Sequence, residues 1–101
     1  MTTGEMARLE ASVRGRVQGV GFRYYVAARA IQMGLTGFVA NDQDGSVRVV
    51  VEGPRPDLED LLESLYEGPA SAIVERVAED WLPYTGHWGT FSIESSGHRG
   101  D

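Results

Sequence analysis

The sequence contains no cysteine and no lysine, and only two of its 101 residues are histidine. The absence of cysteine excludes disulfides, thiolate metal ligands and thiol nucleophiles. The absence of lysine excludes a Schiff-base lysine and a Walker-type phosphate lysine. Two histidines also argue against a nitrogen-rich metal site. We therefore expect a protein that does not use a metal ion.

The chain also lacks long apolar runs and an excess of positive charge. No stretch approaches the length of a membrane span, and the first residues do not have the organisation of a signal peptide. The net charge is −6, from 15 acidic residues and nine arginines. Broad nucleic-acid binding needs a basic face that releases counterions. We expect a cytoplasmic monomer that binds neither nucleic acid nor membranes.

Strand and helix patterns alternate along the chain. Strict alternation of apolar residues predicts a strand over residues 9–17, and helical spacing predicts a helix from Phe22 to the stop signal at Gly34. The other expected elements are strands at 36–41 and 47–52, a helix with the stripe Leu58, Leu61, Leu62 and Leu65, a β-rich segment at 72–82 with the irregularity of a bulge, and a short fifth strand at 90–93.

The order βαββαβ is typical of a ferredoxin-like α+β sandwich, an antiparallel four-stranded sheet with both helices on one face. Each right-handed βαβ unit leaves room for a strand between its two parallel strands. The third strand should therefore separate the first from the second, whose C-terminal ends lie about 10 Å apart at one sheet edge. We expect one domain over residues 1–101, with an ordered core at 8–94 and flexible tails at 1–7 and 95–101.

Residues 15–23 read Gly-Arg-Val-Gln-Gly-Val-Gly-Phe-Arg and join the first strand to the first helix. A glycine turn at a helix start presents free backbone N–H groups and the positive end of the helix dipole, which together bind a tetrahedral oxyanion. Arg23 adds planar, two-pronged donors suited to phosphate. Asn41 ends the second strand at the same sheet edge and is placed to reach over the anion.

Each of these features also has a purely structural interpretation. Turn glycines are often steric requirements, a single arginine is usually a surface residue, and an asparagine near Asp-Gly is often a turn former. The placement of Arg23 and Asn41 at one sheet edge favours a site. A dinucleotide fingerprint is excluded because Tyr24 stands where the third glycine belongs.

The glycine turn is the first block of a longer pattern. It continues through Gly34-Leu35-Thr36-Gly37-Phe38-Val39-Ala40-Asn41, then Asp44-Gly45-Ser46-Val47 and Gly53, and it closes with Phe91-Ser92-Ile93. In order and spacing these blocks resemble the acylphosphatase family across roughly residues 9–93. Phe38 departs from the pattern, because many members carry tryptophan there, and we expect this to be a volume change in the core.

The resemblance implies hydrolysis of small acyl phosphates to a carboxylate and inorganic phosphate, without a metal, a cofactor or a covalent intermediate. It also implies that Arg23 binds the phosphate and that Asn41 orients the attacking water. Inorganic phosphate would be both product and competitive inhibitor. The backbone amides implied to surround the phosphate are those of Gln18, Gly19, Val20, Gly21, Phe22 and Arg23.

Two alternative functions stay open. A βαββαβ module can bind a ligand or RNA without catalysis, but an RNA-recognition domain carries exposed aromatic residues on its central strands. The third strand here offers Ser46, Arg48, Val50 and Glu52 instead. Acylphosphatase-like domains also occur within larger proteins that process carbamoyl phosphate during hydrogenase maturation. The length of the chain favours the free-standing enzyme.

Overall fold

The computed structural model describes residues 4–95, which contain five strands and two helices. The first strand begins three residues before its predicted start at Leu9. Of the predicted tails at 1–7 and 95–101, residues 1–3 and 96–101 lie outside the described residues. The elements, in chain order, are β1 (Met6–Arg16), α1 (Phe22–Gln32), β2 (Thr36–Asn41), β3 (Val47–Pro54), α2 (Arg55–Glu67), β4 (Ile73–Pro83) and β5 (Phe91–Glu94).

The strands form one sheet in the order β4-β1-β3-β2-β5. β3 lies between β1 and β2 and is antiparallel to both, as predicted, with Val49 opposite Ala11 on one side and Val39 on the other. The ferredoxin-like α+β fold is therefore confirmed. β5 departs from the antiparallel pattern, because it pairs in parallel with the outer edge of β2.

The bulge predicted in the β-rich segment lies in β4, opposite the end of β1. Arg14 pairs with Arg76 and Gly15 pairs with Val74, so Glu75 is an extra residue in β4. A side chain at position 15 would collide with the carbonyl group of Ile73, which explains the glycine. The two strands approach closely just before the chain leaves β1.

The core lies between one face of the sheet and the two helices. The alternating face of β1 is buried as predicted, and in the leucine stripe of α2 Leu58, Leu61 and Leu65 are fully buried while Leu62 is partly buried. Each fully buried leucine contributes about 1.5–3 kcal/mol. α1 contributes an apolar face whose first member is Phe22, the first residue of the helix. The fully buried members include Leu9, Val13, Phe22, Val26, Val39, Val49, Leu58, Leu61 and Leu65.

The connection from β4 to β5, residues 84–90, crosses the sheet from one edge to the other and is called the crossing loop below. It is fixed to β3 by Glu52, which is 1% exposed. The Glu52 carboxylate accepts hydrogen bonds from the N–H groups of Thr85 and Gly86, at 3.0 and 2.9 Å, and from the Thr85 hydroxyl, at 2.7 Å. The Arg8 guanidinium lies 3.8 Å from the same carboxylate.

Phe38 lies under the crossing loop and not in the core between sheet and helices, so the expectation for this residue is wrong. Its ring meets the Trp88 ring at a centroid distance of 5.9 Å, edge to face. The Arg8 guanidinium lies 4.9 Å from the Trp88 ring. The loop thus gives the second face of the sheet a small apolar cover of its own.

The pKa of Glu52 is lowered in the folded protein. Burial alone would raise it, but the hydrogen bonds from Thr85 and Gly86 and the charge of Arg8 outweigh burial and hold the pKa below its ordinary value of 4.5. Because the pKa is lower in the folded than in the unfolded state, the carboxylate stabilises the fold above that ordinary value. This contribution is lost as the pH falls through the folded-state pKa.

We predict that Glu52→Gln lowers the free energy of unfolding at neutral pH by about 1.5–3 kcal/mol, because hydrogen bonds to a charged acceptor are replaced by weaker ones. As the pH falls below the ordinary carboxyl pKa, the wild type loses the stability that ionised Glu52 provides. The variant lacks this contribution and should therefore lose less stability over the same pH range. Urea unfolding over a pH series measures both effects. Glu59→Gln is the control, since it removes only an exposed ion pair with Arg55 worth about 0.5 kcal/mol or less. Equal small losses in both variants would contradict the anchoring role of Glu52.

Candidate active site

Residues 18–23, called the cradle loop, comprise the turn between β1 and α1 and the first two residues of the helix. The turn contains two glycines in the left-handed region. Gly19 has φ 74° and Gly21 has φ 81°, while Val20 between them has a negative φ. A Cβ at either glycine would meet no atom within 4 Å, so the glycines are needed for their backbone conformation and not for space. Successive N–H groups in such an alternating backbone form an anion-binding concavity.

The start of α1 adds further free donors. The first helical hydrogen bond runs from the Tyr25 N–H to the Gly21 carbonyl, at 3.0 Å. No side chain caps the helix, and its first turn contains no acidic residue. The N–H groups of Phe22, Arg23 and Tyr24 therefore have no partner within the helix. Together with the helix dipole they favour a bound anion.

The hydrogen bonds of two side chains hold the cradle loop in place. The Gln18 amide donates hydrogen bonds to the carbonyl groups of Asp42 and Ser46, both at 2.8 Å. The Ser71 hydroxyl donates to the carbonyl of Val20, also at 2.8 Å. The sequence predicted a role only for the backbone amide of Gln18 and gave no indication of Ser71. No local signal could have found these contacts, because the partners lie at least 24 residues apart in the chain.

The Arg23 side chain is half-buried and is oriented by the last residue of β5. Its Nη1 donates a hydrogen bond to the carbonyl of Glu94, at 2.9 Å. Parallel pairing of β5 with β2 brings this carbonyl to the start of α1. A guanidinium has five N–H donors in a planar fork, so further donors stay available to an anion. Glu94 is a positioning residue that the sequence pattern did not indicate.

Asn41 is the last residue of β2 and pairs with Val47. It is half-buried, and no side-chain hydrogen bond of Asn41 is present among residues 4–95. The amide is therefore accessible and available to water or to a ligand at the end of the strand.

The turn that follows Asn41 is held by Asp44. Its carboxylate accepts hydrogen bonds from the hydroxyl and the N–H of Ser46, at 2.6 and 3.0 Å, and from the Arg14 guanidinium, at 2.7 Å. The bonds from Ser46, with a smaller contribution from Arg14, lower the pKa of Asp44 to about 2. The carboxylate consequently stays ionised at any ordinary assay pH.

Most of the predicted site residues line one pocket of about 200 Å³ at the end of the sheet. Arg23 and Asn41 both line it, although they belong to different elements. Four of the six residues predicted to supply amides line it as well, whereas Gln18 and Val20 do not. Tyr24, which sequence reasoning did not assign to the site, does. The lining consists of Val17, Gly19, Gly21, Phe22, Arg23, Tyr24 and Asn41.

A wider depression of about 330 Å³ lies on the second face of the sheet. Glu79 lines it, but its carboxylate accepts a hydrogen bond from the Tyr66 hydroxyl of α2. Three other acidic residues, Glu10, Asp42 and Asp80, line it with a single arginine, Arg48, and give the depression a negative charge. This charge repels a phosphate group, so the smaller pocket at the cradle loop suits that ligand better.

Within residues 4–95, no helix combines the length and the apolar character needed to cross a bilayer. In the same residues, no three histidine, cysteine, aspartate or glutamate side chains are grouped in a way that could hold a metal ion.

Comparison with known proteins gives a consistent result. The family model for acylphosphatase matches residues 9–93. An acylphosphatase of Salinibacter ruber is 51% identical over 81 residues, which cover 80% of this chain and 85% of that protein. The crystal structure of acylphosphatase from Bacillus subtilis superposes with a TM-score of 0.83 at 34% identity, covering 87% of this chain and 98% of the other. Full-length HypF, in a phosphate- and nucleotide-bound form, matches 91% of this chain at 26% identity and a TM-score of 0.82, over 12% of its own length.

We predict that Gln18→Ala lowers the free energy of unfolding by about 1–2 kcal/mol, because two hydrogen bonds to backbone carbonyls are lost. It should also weaken the binding of inorganic phosphate, since the cradle loop is no longer joined to the turn after Asn41. Thermal unfolding with and without phosphate measures both effects. Gln43→Ala is the matched control, because Gln43 lies exposed in that same turn. Unchanged phosphate binding in the Gln18 variant would show that its side chain does not shape the loop.

Proposed function

The chain belongs to the acylphosphatase family and is a hydrolase that acts on acyl phosphates, and we propose how its residues divide the reaction. Arg23 and the backbone amides of residues 18–23 bind the phosphoryl group of a small acyl phosphate. Asn41 orients a water molecule that attacks the phosphorus atom directly. The products are a carboxylate and inorganic phosphate, and the latter competes with the substrate. The observation that carries this proposal is the shared pocket of Arg23, Asn41 and the cradle glycines.

The binding half of the proposal rests on unused donors. The first-turn N–H groups of α1 have no helical partner, and the guanidinium of Arg23 uses one nitrogen on the Glu94 carbonyl. Fixed donors of this kind stabilise the charge that spreads over the non-bridging oxygens in phosphoryl transfer. Because the loop is already held by Gln18 and Ser71, little reorganisation is required when the substrate binds.

The leaving group explains why such a site needs no general acid. An acyl phosphate releases a carboxylate, and the conjugate acid of a carboxylate has a pKa of about 4. A group this weakly basic departs without a proton. The lining of the pocket accordingly contains neither histidine nor a carboxylic acid. Positioning and charge stabilisation are then the principal contributions of the protein.

Asn41 has the chemistry of an orienting group and not of a base. Its amide carbonyl can accept a hydrogen bond from water and hold the oxygen lone pair in line with the leaving group. An amide is too weak a base to remove the proton. A phosphate oxygen of the substrate takes that proton as the water attacks. A pH–rate profile that reports an enzyme base with a pKa near neutrality would contradict this step.

A domain serving a larger protein is the second candidate, and the similarity to HypF supports it. Sequence identity favours the simple enzyme, since it reaches 51% with an acylphosphatase but 26% with HypF. The monomeric state and the cytoplasmic location stay predictions.

We predict that Arg23→Ala and Asn41→Ala fail in different ways. Arg23→Ala should lose most of its affinity for inorganic phosphate, because the two-pronged donor is gone. Asn41→Ala should keep phosphate affinity but lose about 10²–10³ in kcat, the typical effect of one positioned polar group. Hydrolysis of benzoyl phosphate in EDTA, with inorganic phosphate as competitor, measures both quantities.

Arg76→Ala and Gln43→Ala are the matched controls, because both residues are exposed and lie outside the pocket. Both should retain wild-type turnover and wild-type inhibition by phosphate. An equal loss of phosphate affinity in Arg23→Ala and Asn41→Ala would contradict the separate roles. A folded wild-type protein that binds phosphate without turnover would favour the binding or partner-dependent module.

A further inference from the structure

Tyr24 lines the pocket beside Arg23 and Asn41, yet its side chain is 70% exposed. Among residues 4–95 it makes no side-chain hydrogen bond, no ring contact and no cation–π contact. Its neighbour Tyr25 shows the contrast, since the Tyr25 hydroxyl donates to the Ser64 carbonyl at 3.0 Å and its ring packs against Phe22. The fold therefore uses Tyr25 and leaves Tyr24 free at the rim of the site.

The position of Tyr24 follows from the helix geometry of α1. Phe22 is the first residue of the helix and is buried in the core. Tyr24 comes two residues later, about 200° around the helix axis, and so it points away from the core. Arg23 between them is half-buried and reaches toward β5. The ring of Tyr24 is thus exposed to solvent beside Arg23, the residue proposed to bind the phosphate.

The size of the pocket determines what reaches this ring. At about 200 Å³ it is smaller than the roughly 300–1,000 Å³ of sites that enclose a whole small molecule. If the phosphoryl group occupies the cradle, little room is left inside for an acyl group, which must extend toward the rim. Val17 and Phe22, the other large apolar residues of the lining, are each 1% exposed and can offer little surface there.

We propose that Tyr24 contacts the acyl group of the substrate and makes the site favour acyl phosphates whose acyl group is apolar. The inference rests on the proposed function and adds a substrate class to it. An exposed aromatic ring gains from being covered by apolar or aromatic carbon, and a very small acyl group covers little of it. The contact lies away from the reacting atoms, so it acts on substrate binding and not on the chemical step.

The test compares benzoyl phosphate with acetyl phosphate in the wild type, Tyr24→Ala and Tyr24→Phe. For benzoyl phosphate, Tyr24→Ala should raise KM by about two- to tenfold, the range expected from one lost aromatic pair, with kcat nearly unchanged. KM for acetyl phosphate and inhibition by inorganic phosphate should stay at wild-type values. Tyr24→Phe should behave as the wild type, because the ring and not the hydroxyl makes the contact.

Tyr84→Ala is the matched control, since Tyr84 is 45% exposed and lies in the crossing loop at the opposite end of the sheet. It should leave both substrates unaffected. Equal changes for both substrates in Tyr24→Ala, or no change for either, would overturn the acyl contact while leaving the hydrolase intact. Failure of the folded wild type to hydrolyse either substrate would overturn the proposed function, and the acyl contact with it.

Discussion

The insertion of β3 between β1 and β2 is the pairing on which the rest of the structure depends. β3 is antiparallel to both neighbours, so the two flanking strands are parallel and end at the same edge of the sheet. The cradle loop leaves one of these ends, and Asn41 occupies the other. The N–H donors of the cradle loop and the side-chain amide of Asn41 are well separated in the chain. The strand order nevertheless brings both of them to one pocket.

The contacts around that pocket engage carbonyl groups and leave N–H groups free. Gln18 donates to two carbonyls of the turn after Asn41, Ser71 donates to the carbonyl of Val20, and Arg23 donates to that of Glu94. Each contact fixes an element without occupying an amide of the cradle loop. Such a site is preorganised for an anion, and preorganised donors are the main source of catalysis when the leaving group needs no proton.

The residues differ in how far the sequence could predict them. The alternating face of β1, the glycine turn and the end of β2 are local patterns, and together with the right-handed βαβ rule they predict both the topology and the meeting of Arg23 with Asn41. Glu52 could not be recognised as buried, because a charged residue on an alternating strand reads as solvent-facing unless the crossing loop is known. Phe38 was misplaced because an aromatic residue on a strand reads as part of the core against the helices unless the crossing loop is known. Tyr24 could be used from the sequence only to exclude a dinucleotide fingerprint, and its exposure at the pocket rim required the structure.

Binding of inorganic phosphate, followed residue by residue, shows whether the cradle loop and Arg23 form a phosphate site. In a titration of the ¹⁵N-labelled protein, we expect the largest shifts of backbone amide resonances on residues 18–23, with a further shift of the Asn41 side-chain amide. All of these resonances should give the same dissociation constant for phosphate, because the residues belong to one pocket. Shifts concentrated elsewhere, or no shifts at phosphate concentrations that inhibit the wild type, would contradict a phosphate site formed by the cradle loop and Arg23.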